Sequence, residues 1–151
     1  MKRIVILIFL LLILSGCSNN SEQFFGTYVF EEVSYLSPLS SSTEDYIKEQ
    51  MSGVEYTISQ DLFKIQYDEN TMEIISPNYV RESIPQETTV LSNIHSFIGN
   101  EVKYQYTILD KNESETHLRL YISSDYTWVA SYADNTADGS EIIMYIYKLS
   151  K

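Results

Sequence analysis

The sequence predicts a mainly β domain: an antiparallel up-and-down barrel of eight or nine strands, interrupted by two short helices and preceded by an export signal. Three observations carry this. Apolar and polar residues alternate with period two along most of the chain, which is the mark of strands with one wet face. Clusters of Ser, Asp, Asn and Gly separate these runs at hairpin spacing. A sheet of so many mostly sequential strands is most economically closed into a barrel, because closure removes exposed edges. The 151 residues, 44% hydrophobic and 13% aromatic, suffice for one domain with a real core and lie far from disordered compositions.

Lys2 and Arg3 precede an apolar run from Ile4 to Leu14, followed by Ser15, Gly16 and Cys17 and then by polar Ser18, Asn19 and Asn20. This is a positive n-region, an h-region and a small-residue cleavage site. The run spans roughly 16 Å of helix at about 1.5 Å per residue, short of the roughly 30 Å hydrocarbon core, so a transmembrane helix is not expected. Leu14-Ser15-Gly16-Cys17 resembles the bacterial lipobox, in which a diacylglyceryl group is attached to the cysteine thiol before cleavage just ahead of it. Cys17 is the only cysteine. The resemblance implies a signal peptide over residues 1–16, a lipidated Cys17 with a tether over residues 17–23, and one domain over residues 24–151. The protein is then lipid-anchored at the extracytoplasmic face of the cell membrane.

Loss of Lys2 and Arg3 takes the formal charge from −11 to −13. Two acyl chains hold a protein at a membrane without help, since each buried CH₂ contributes about 0.8 kcal/mol. So acidic a chain gains nothing from anionic headgroups on net charge, which makes the membrane a tether, and nucleic acid is excluded on the same ground.

The first strand is expected over Thr27 to Tyr35. Thr43 then caps a helix through Tyr46, Ile47 and Met51, with Glu44 and Asp45 in its first turn and Gly53 beyond its end. Val54, Tyr56 and Ile58, then Phe63, Ile65 and Tyr67, alternate with polar residues as two further strands, and a weaker strand lies near Tyr79 to Ser83. Val90, Leu91, Ile94, Phe97 and Ile98 fall at helical spacing, which predicts a second helix over Pro85 to Ile98 with Gly99 as its stop. Strands follow at Val102 to Ile108, Leu118 to Ile122 and Trp128 to Tyr132. Ile142 to Leu149 is apolar on both faces until Lys148, so it should be a central or closing strand.

Phe25-Gly26-Thr27-Tyr28 at the first strand, the helix leading into "SGVEYTIS", an irregular "SPNYVRES" and the last strand "IIMYIYKLS" together resemble small bacterial lipoproteins with a lipocalin-like barrel. The lipocalin signature pairs a Gly-x-Trp on the first strand with an arginine from late in the barrel that covers the indole. Here Tyr28 stands at the Trp position. The resemblance implies an architecture with ligand space inside and names no ligand, and fold analogy alone supplies no function.

Tyrosine, present 13 times, is the one compositional excess. Tyr56, Tyr67, Tyr104 and Tyr106 lie on the apolar sides of their strands, and Trp128 stands with Ala130 and Tyr132, so these rings are expected to face the interior. Five of them, Tyr56, Tyr67, Tyr104, Tyr106 and Trp128, form the candidate ligand-binding set, because a lining of amphipathic rings suits a small apolar or aromatic ligand.

No enzyme is expected, since nucleophile, base and orienter cannot be assembled from this chain and no cofactor motif is present. His95 and His117 have no metal-ligand spacing, and no metal is expected. Asp134 to Glu141 has Asp at loop positions one and five and Gly at six, but Tyr145 stands where a calcium loop needs a bidentate Glu. Ser37 to Thr43 reads as a loop entering a helix, and Asn112-Glu113-Ser114 as a turn. Two functions remain: a tethered barrel that binds a small apolar or aromatic ligand, or an acidic protein that meets a cationic protein or peptide at the envelope.

Overall fold

The computed structural model describes residues 23–84, 93–134 and 139–151. Among these, nine strands build one antiparallel sheet: β1 (Gly26–Leu36), β2 (Glu55–Ile58), β3 (Leu62–Gln66), β4 (Thr71–Ile75), β5 (Asn78–Ser83), β6 (Tyr104–Leu109), β7 (Glu115–Ile122), β8 (Thr127–Asp134) and β9 (Glu141–Ser150). Their spatial order is β4-β3-β2-β1-β9-β8-β7-β6-β5. The strand that the alternation does not mark is β4, in which Ile74 alone is buried. As its two-sided apolar pattern predicts, β9 is central, paired with β1 and β8.

The sheet is not closed, which corrects the expected barrel. Sequential strands pair throughout, and β1 pairs with β9, but β4 and β5 do not pair and form the two edges. The reason lies in their link. Only Ser76 and Pro77 separate them, and eight antiparallel steps round the sheet leave β4 and β5 running in the same direction. A parallel pair needs a crossover of a dozen or more residues, so two residues cannot give one. Ser76 takes φ 52° and Pro77 has no N–H to donate. One kinked stretch of chain therefore passes the ladder from β3 to β6.

Register partners share a face, so the ladders sort the side chains into two sets. One face gathers Tyr28, Tyr56, Phe63, Ile65, Ile74, Ile108, Leu120, Val129 and Leu149 into a single buried cluster. A flat sheet of nine strands would be nearly 40 Å wide at about 4.8 Å per strand. Side chains from β4 and β6 can share a cluster only because the sheet is twisted and curled, with this face concave.

The convex face of β7, β8 and β9 carries a second cluster of Tyr121, Trp128, Ala130, Tyr132, Ile143 and Ile146. It is covered by Ile94, Ile98 and Val102 and by Phe97, whose ring lies 4.3 Å from that of Tyr35. Trp128, Ala130 and Tyr132 were expected inside the barrel. Their register partners Lys148 and Ile146 place them on the outer face instead.

Helix α1 (Glu44–Met51) forms as its sequence signals predict: Thr43 Oγ1 accepts the Tyr46 N–H at 3.3 Å, and Gly53, with φ 77°, lies just past the end. Of the second expected helix, residues 85–92 lie outside the described residues. The rest is the single turn α2 (His95–Ile98), stopped by Gly99, whose N–H bonds to the His95 carbonyl. His95 Nδ1 lies 3.1 Å from the Gly99 carbonyl oxygen, a local contact.

Opposite a register shift between Thr107 and Leu109, His117 takes φ 57° inside β7. A β-bulge of one type holds a residue in this left-handed region, which Gly enters freely, Asn, Asp and His enter more often than other side chains, and β-branched residues enter only under strain. His117→Gly should leave stability unchanged or raise it by up to ~1 kcal/mol in urea unfolding, while β-branched His117→Val should lower it by ~1 kcal/mol or more. The reverse order would show that the imidazole makes a stabilising contact that outweighs the strain.

Candidate functional site

In an antiparallel meander, alternate connections lie at opposite ends. The pairings Gly26–Ile58, Thr127–Leu149, Ile122–Thr127 and Ser83–Tyr104 put the starts of β1, β6 and β8 at one end, with the last residues of β5, β7 and β9. Gln23 and Phe24, where the tether enters, belong to this end. Phe24 is a stopper for the concave face. Its ring packs edge-on against Phe25 and Tyr79 at 5.1 and 5.4 Å and tilts against Tyr106 at 4.7 Å. Its carbonyl accepts a buried hydrogen bond from Tyr28 Oη at 2.6 Å. A phenol is costly to bury without such a partner, and here the bond fastens the chain just outside the sheet to the first strand.

Two open clefts flank this ring. The smaller, of about 270 Å³, is bounded by Phe24, Tyr28, Tyr126, Leu149 and Lys151. The larger, of about 470 Å³, is bounded by Phe24, Arg81, Glu101, Tyr104, Tyr106 and Ser124. The floor between them is the β7–β8 turn. Ser123 Oγ accepts the N–H of Tyr126 at 3.0 Å and of Asp125 at 3.3 Å, and so fixes the turn that carries exposed Ser124. Over the larger cleft the Arg81 guanidinium stacks on the Tyr104 ring, 3.8 Å from its centre. Over the smaller, Lys151 Nζ stands 5.4 Å from the centre of the Tyr28 ring.

The structure separates the five ring positions singled out by the sequence. Tyr104 and Tyr106 line the larger cleft. Tyr56 is fully buried and Tyr67 half-buried within the concave cluster, where Tyr145 and Tyr147 stack with ring centres 4.3 Å apart. Trp128, on the convex face, meets the Tyr126 ring edge-on at 5.9 Å. Phe24, Arg81, Ser124 and Lys151 were not singled out. The signals available were the Phe24-Phe25 pair ending the tether and the scarcity of arginine after the signal, where only Arg81 and Arg119 occur.

Burial pushes the phenols of Tyr67, Tyr79, Tyr145 and Tyr147 above their ordinary value, and that of Tyr56 well above it. On the convex face a polar chain runs through the core: Gln105 Nε2 and Thr107 Oγ1 donate to Glu82 at 3.3 and 3.4 Å, and Tyr121 Oη donates to Gln105 Oε1 at 3.2 Å. The Tyr121 and Tyr132 hydroxyls share a hydrogen bond. Arg119 lies over the Tyr132 ring and pairs with Glu141. These contacts satisfy buried polar groups and open onto neither cleft.

Ser37 to Thr43 is a loop: Ser37 is buried with its Oγ accepting the Leu39 N–H. Asn112-Glu113-Ser114 is a turn, in which Asp110 Oδ1 accepts the N–H groups of Asn112 and Ser114. These bonds hold the Asp110 carboxyl below its ordinary value. Residues 135–138 of the loop weighed for calcium lie outside the described residues. Among the described residues no three His, Cys, Asp or Glu side chains are grouped to hold a metal ion.

Residues 1–18 match the family model for the prokaryotic membrane lipoprotein lipid attachment site. This supports a bacterial lipoprotein signal and, with it, lipid anchoring to a membrane through Cys17. No curated protein and no solved structure matches the chain.

Two measurements test this geometry. Tyr28→Phe should lower stability by ~1 kcal/mol, the usual contribution of one hydrogen bond, and more if the Phe24 carbonyl stays buried without a donor. An unchanged midpoint in denaturant would mean that the bond does not hold Phe24. The raised phenols give stability that is complete below the unfolded value near pH 10 and is lost as pH rises through the higher folded values. The tyrosinate absorbance of these five rings should therefore appear together with loss of the sheet signal, at a pH well above 10. Full titration near pH 10 with the sheet intact would show these rings to be open to water.

Proposed function

We propose that this protein is an exported lipoprotein, diacylated on Cys17 and held at the extracytoplasmic face of the membrane, whose sheet presents a binding site for a small apolar or aromatic ligand at the end where the tether enters. The observation that carries this reading is the pair of clefts beside Phe24. Aromatic walls and a few convergent polar groups are what small-molecule sites require. Of the ring positions chosen from the sequence, Tyr104 and Tyr106 serve this site, joined by Phe24, Arg81 and Ser124.

The strand order of the open sheet is in keeping with the lipocalin-like resemblance of the sequence. If β4 and β5 are counted as one strand kinked at Ser76-Pro77, the ladders run round eight strands in chain order. Gly26-Thr27-Tyr28 opens the first strand, and Lys151, from the far end of the sequence, covers the Tyr28 ring as an arginine covers the indole in the lipocalin signature.

Titration of the chain from Ser18 onward, which contains all nine strands, with small aromatic and acyl ligands at low and high salt tests the site. Saturable binding that changes little with salt and weakens severalfold in Tyr106→Ala is expected. Binding of basic peptides alone, abolished by salt, would favour the acidic interaction protein, because exposed charges beyond about 10 Å are screened at 0.1 M salt. Cys17→Ala should accumulate as an uncut or released form without incorporated fatty acid. Palmitate-labelled, membrane-bound Cys17→Ala protein would refute lipidation at that thiol.

A further inference from the structure

We propose that the tether end of the sheet is a membrane-docking face, on which Arg81, held flat against Tyr104, binds the phosphate of a phospholipid in the bilayer that carries the anchor. The first ground is reach. Gln23 follows Cys17 by six residues, at most about 22 Å of extended chain at 3.3–3.6 Å per residue. The ten residues of β9 are themselves about 33 Å long at 3.3 Å per residue. The lipid therefore holds this end within about 22 Å of the headgroup layer, closer than the length of the sheet.

The second ground is the cation itself. Arg81 is exposed and makes no ion pair among the described residues, whereas Arg119 and Lys148 are both paired with glutamates. Its planar fork of N–H donors matches a phosphate in bidentate fashion, and stacking on Tyr104 limits the rotamer freedom that such a bond would otherwise cost.

Charge distribution is the third. Among the described residues the far-end connections carry Glu44, Asp45, Glu49, Asp68, Glu69, Asp110 and Glu113 against Lys48 and Lys111, while the tether end sets Arg81, Lys103 and Lys151 against Asp61, Glu82, Glu101 and Asp125. The expectation drawn from net charge alone, that the membrane is only a tether, is thus revised. With a Debye length of about 8 Å at physiological salt, carboxylates a strand length away are screened from the headgroups. A fourth ground is that Tyr104 and Tyr126, 42% and 45% exposed, stand on either side of Phe24. Amphipathic rings are favoured at headgroup depth.

The lipidated chain in vesicles of phosphatidylcholine and phosphatidylglycerol provides the test. Cys17 is consumed by lipid, so Asp125→Cys in the exposed β7–β8 turn at the tether end and Asn112→Cys at the far end each supply a unique thiol for a fluorophore. With a headgroup spin-labelled lipid as quencher, the Asp125→Cys reporter should be quenched severalfold more than the Asn112→Cys reporter. Adding Arg81→Gln should bring the two close together while circular dichroism stays unchanged. Equal quenching at both ends would overturn the docking face. Strong quenching at Asp125→Cys that survives Arg81→Gln would overturn the role of Arg81. Neither result would touch the ligand-binding reading, which is decided by titration in solution.

Discussion

The ladder between β1 and β9 joins the two ends of the domain, from Val29 opposite Ser150 to Leu36 opposite Tyr145, and the remaining structure depends on it. Every other ladder links strands that follow one another in the sequence. Without this one the chain would be two separate ribbons, β1 to β4 and β5 to β9, neither with enough partners for its apolar face. Closing so long a loop costs entropy that only burial can offset. The burial is present: Phe30, Val33 and Tyr147 pack on the concave side and Tyr35 and Ile146 on the convex side.

Two register shifts make that ladder work. Between Phe30 and Glu32, and again between Val33 and Tyr35, the pairing slips, as at a β-bulge, where an extra residue re-aims the side chains that follow. The first shift brings Glu31 and Glu32 together against Lys148, at 2.8 and 3.6 Å. The second turns Tyr35 outward to meet Phe97 while Val33 stays inside. A strand that starts in the concave core thus ends under the segment that covers the convex one. The lone charge in the apolar run of β9, Lys148, sits where the bulge supplies two carboxylates.

The same ladder decides where function is to be sought. By bringing the end of β9 beside the start of β1, it places Lys151 over Tyr28 and leaves Phe24 to fill the mouth. The clefts on either side of that ring, Arg81, which makes no ion pair among the described residues, and Gln23, where the tether enters, then belong to one end of the molecule. Binding and anchoring are accordingly questions about one surface.

Much was legible in the sequence because it depends on near neighbours. The lipid attachment site at Leu14 to Cys17 is a local motif with one cysteine to carry it. The strand alternations, the Thr43 cap and the Gly53 stop each act within a few residues, and all reappear in the structure. The face a strand turns inward is different in kind, since period two gives two equivalent faces and only the partner strand and its bulges choose between them. Trp128 therefore went to the convex face. The open edge at β4 and β5 was equally hidden, because it follows from the parity of eight pairings and a two-residue kink. The cleft residues Phe24, Arg81, Ser124 and Lys151 come from four separate parts of the chain. No local pattern can join them; only the curl of the sheet and the pairing of its first and last strands does so.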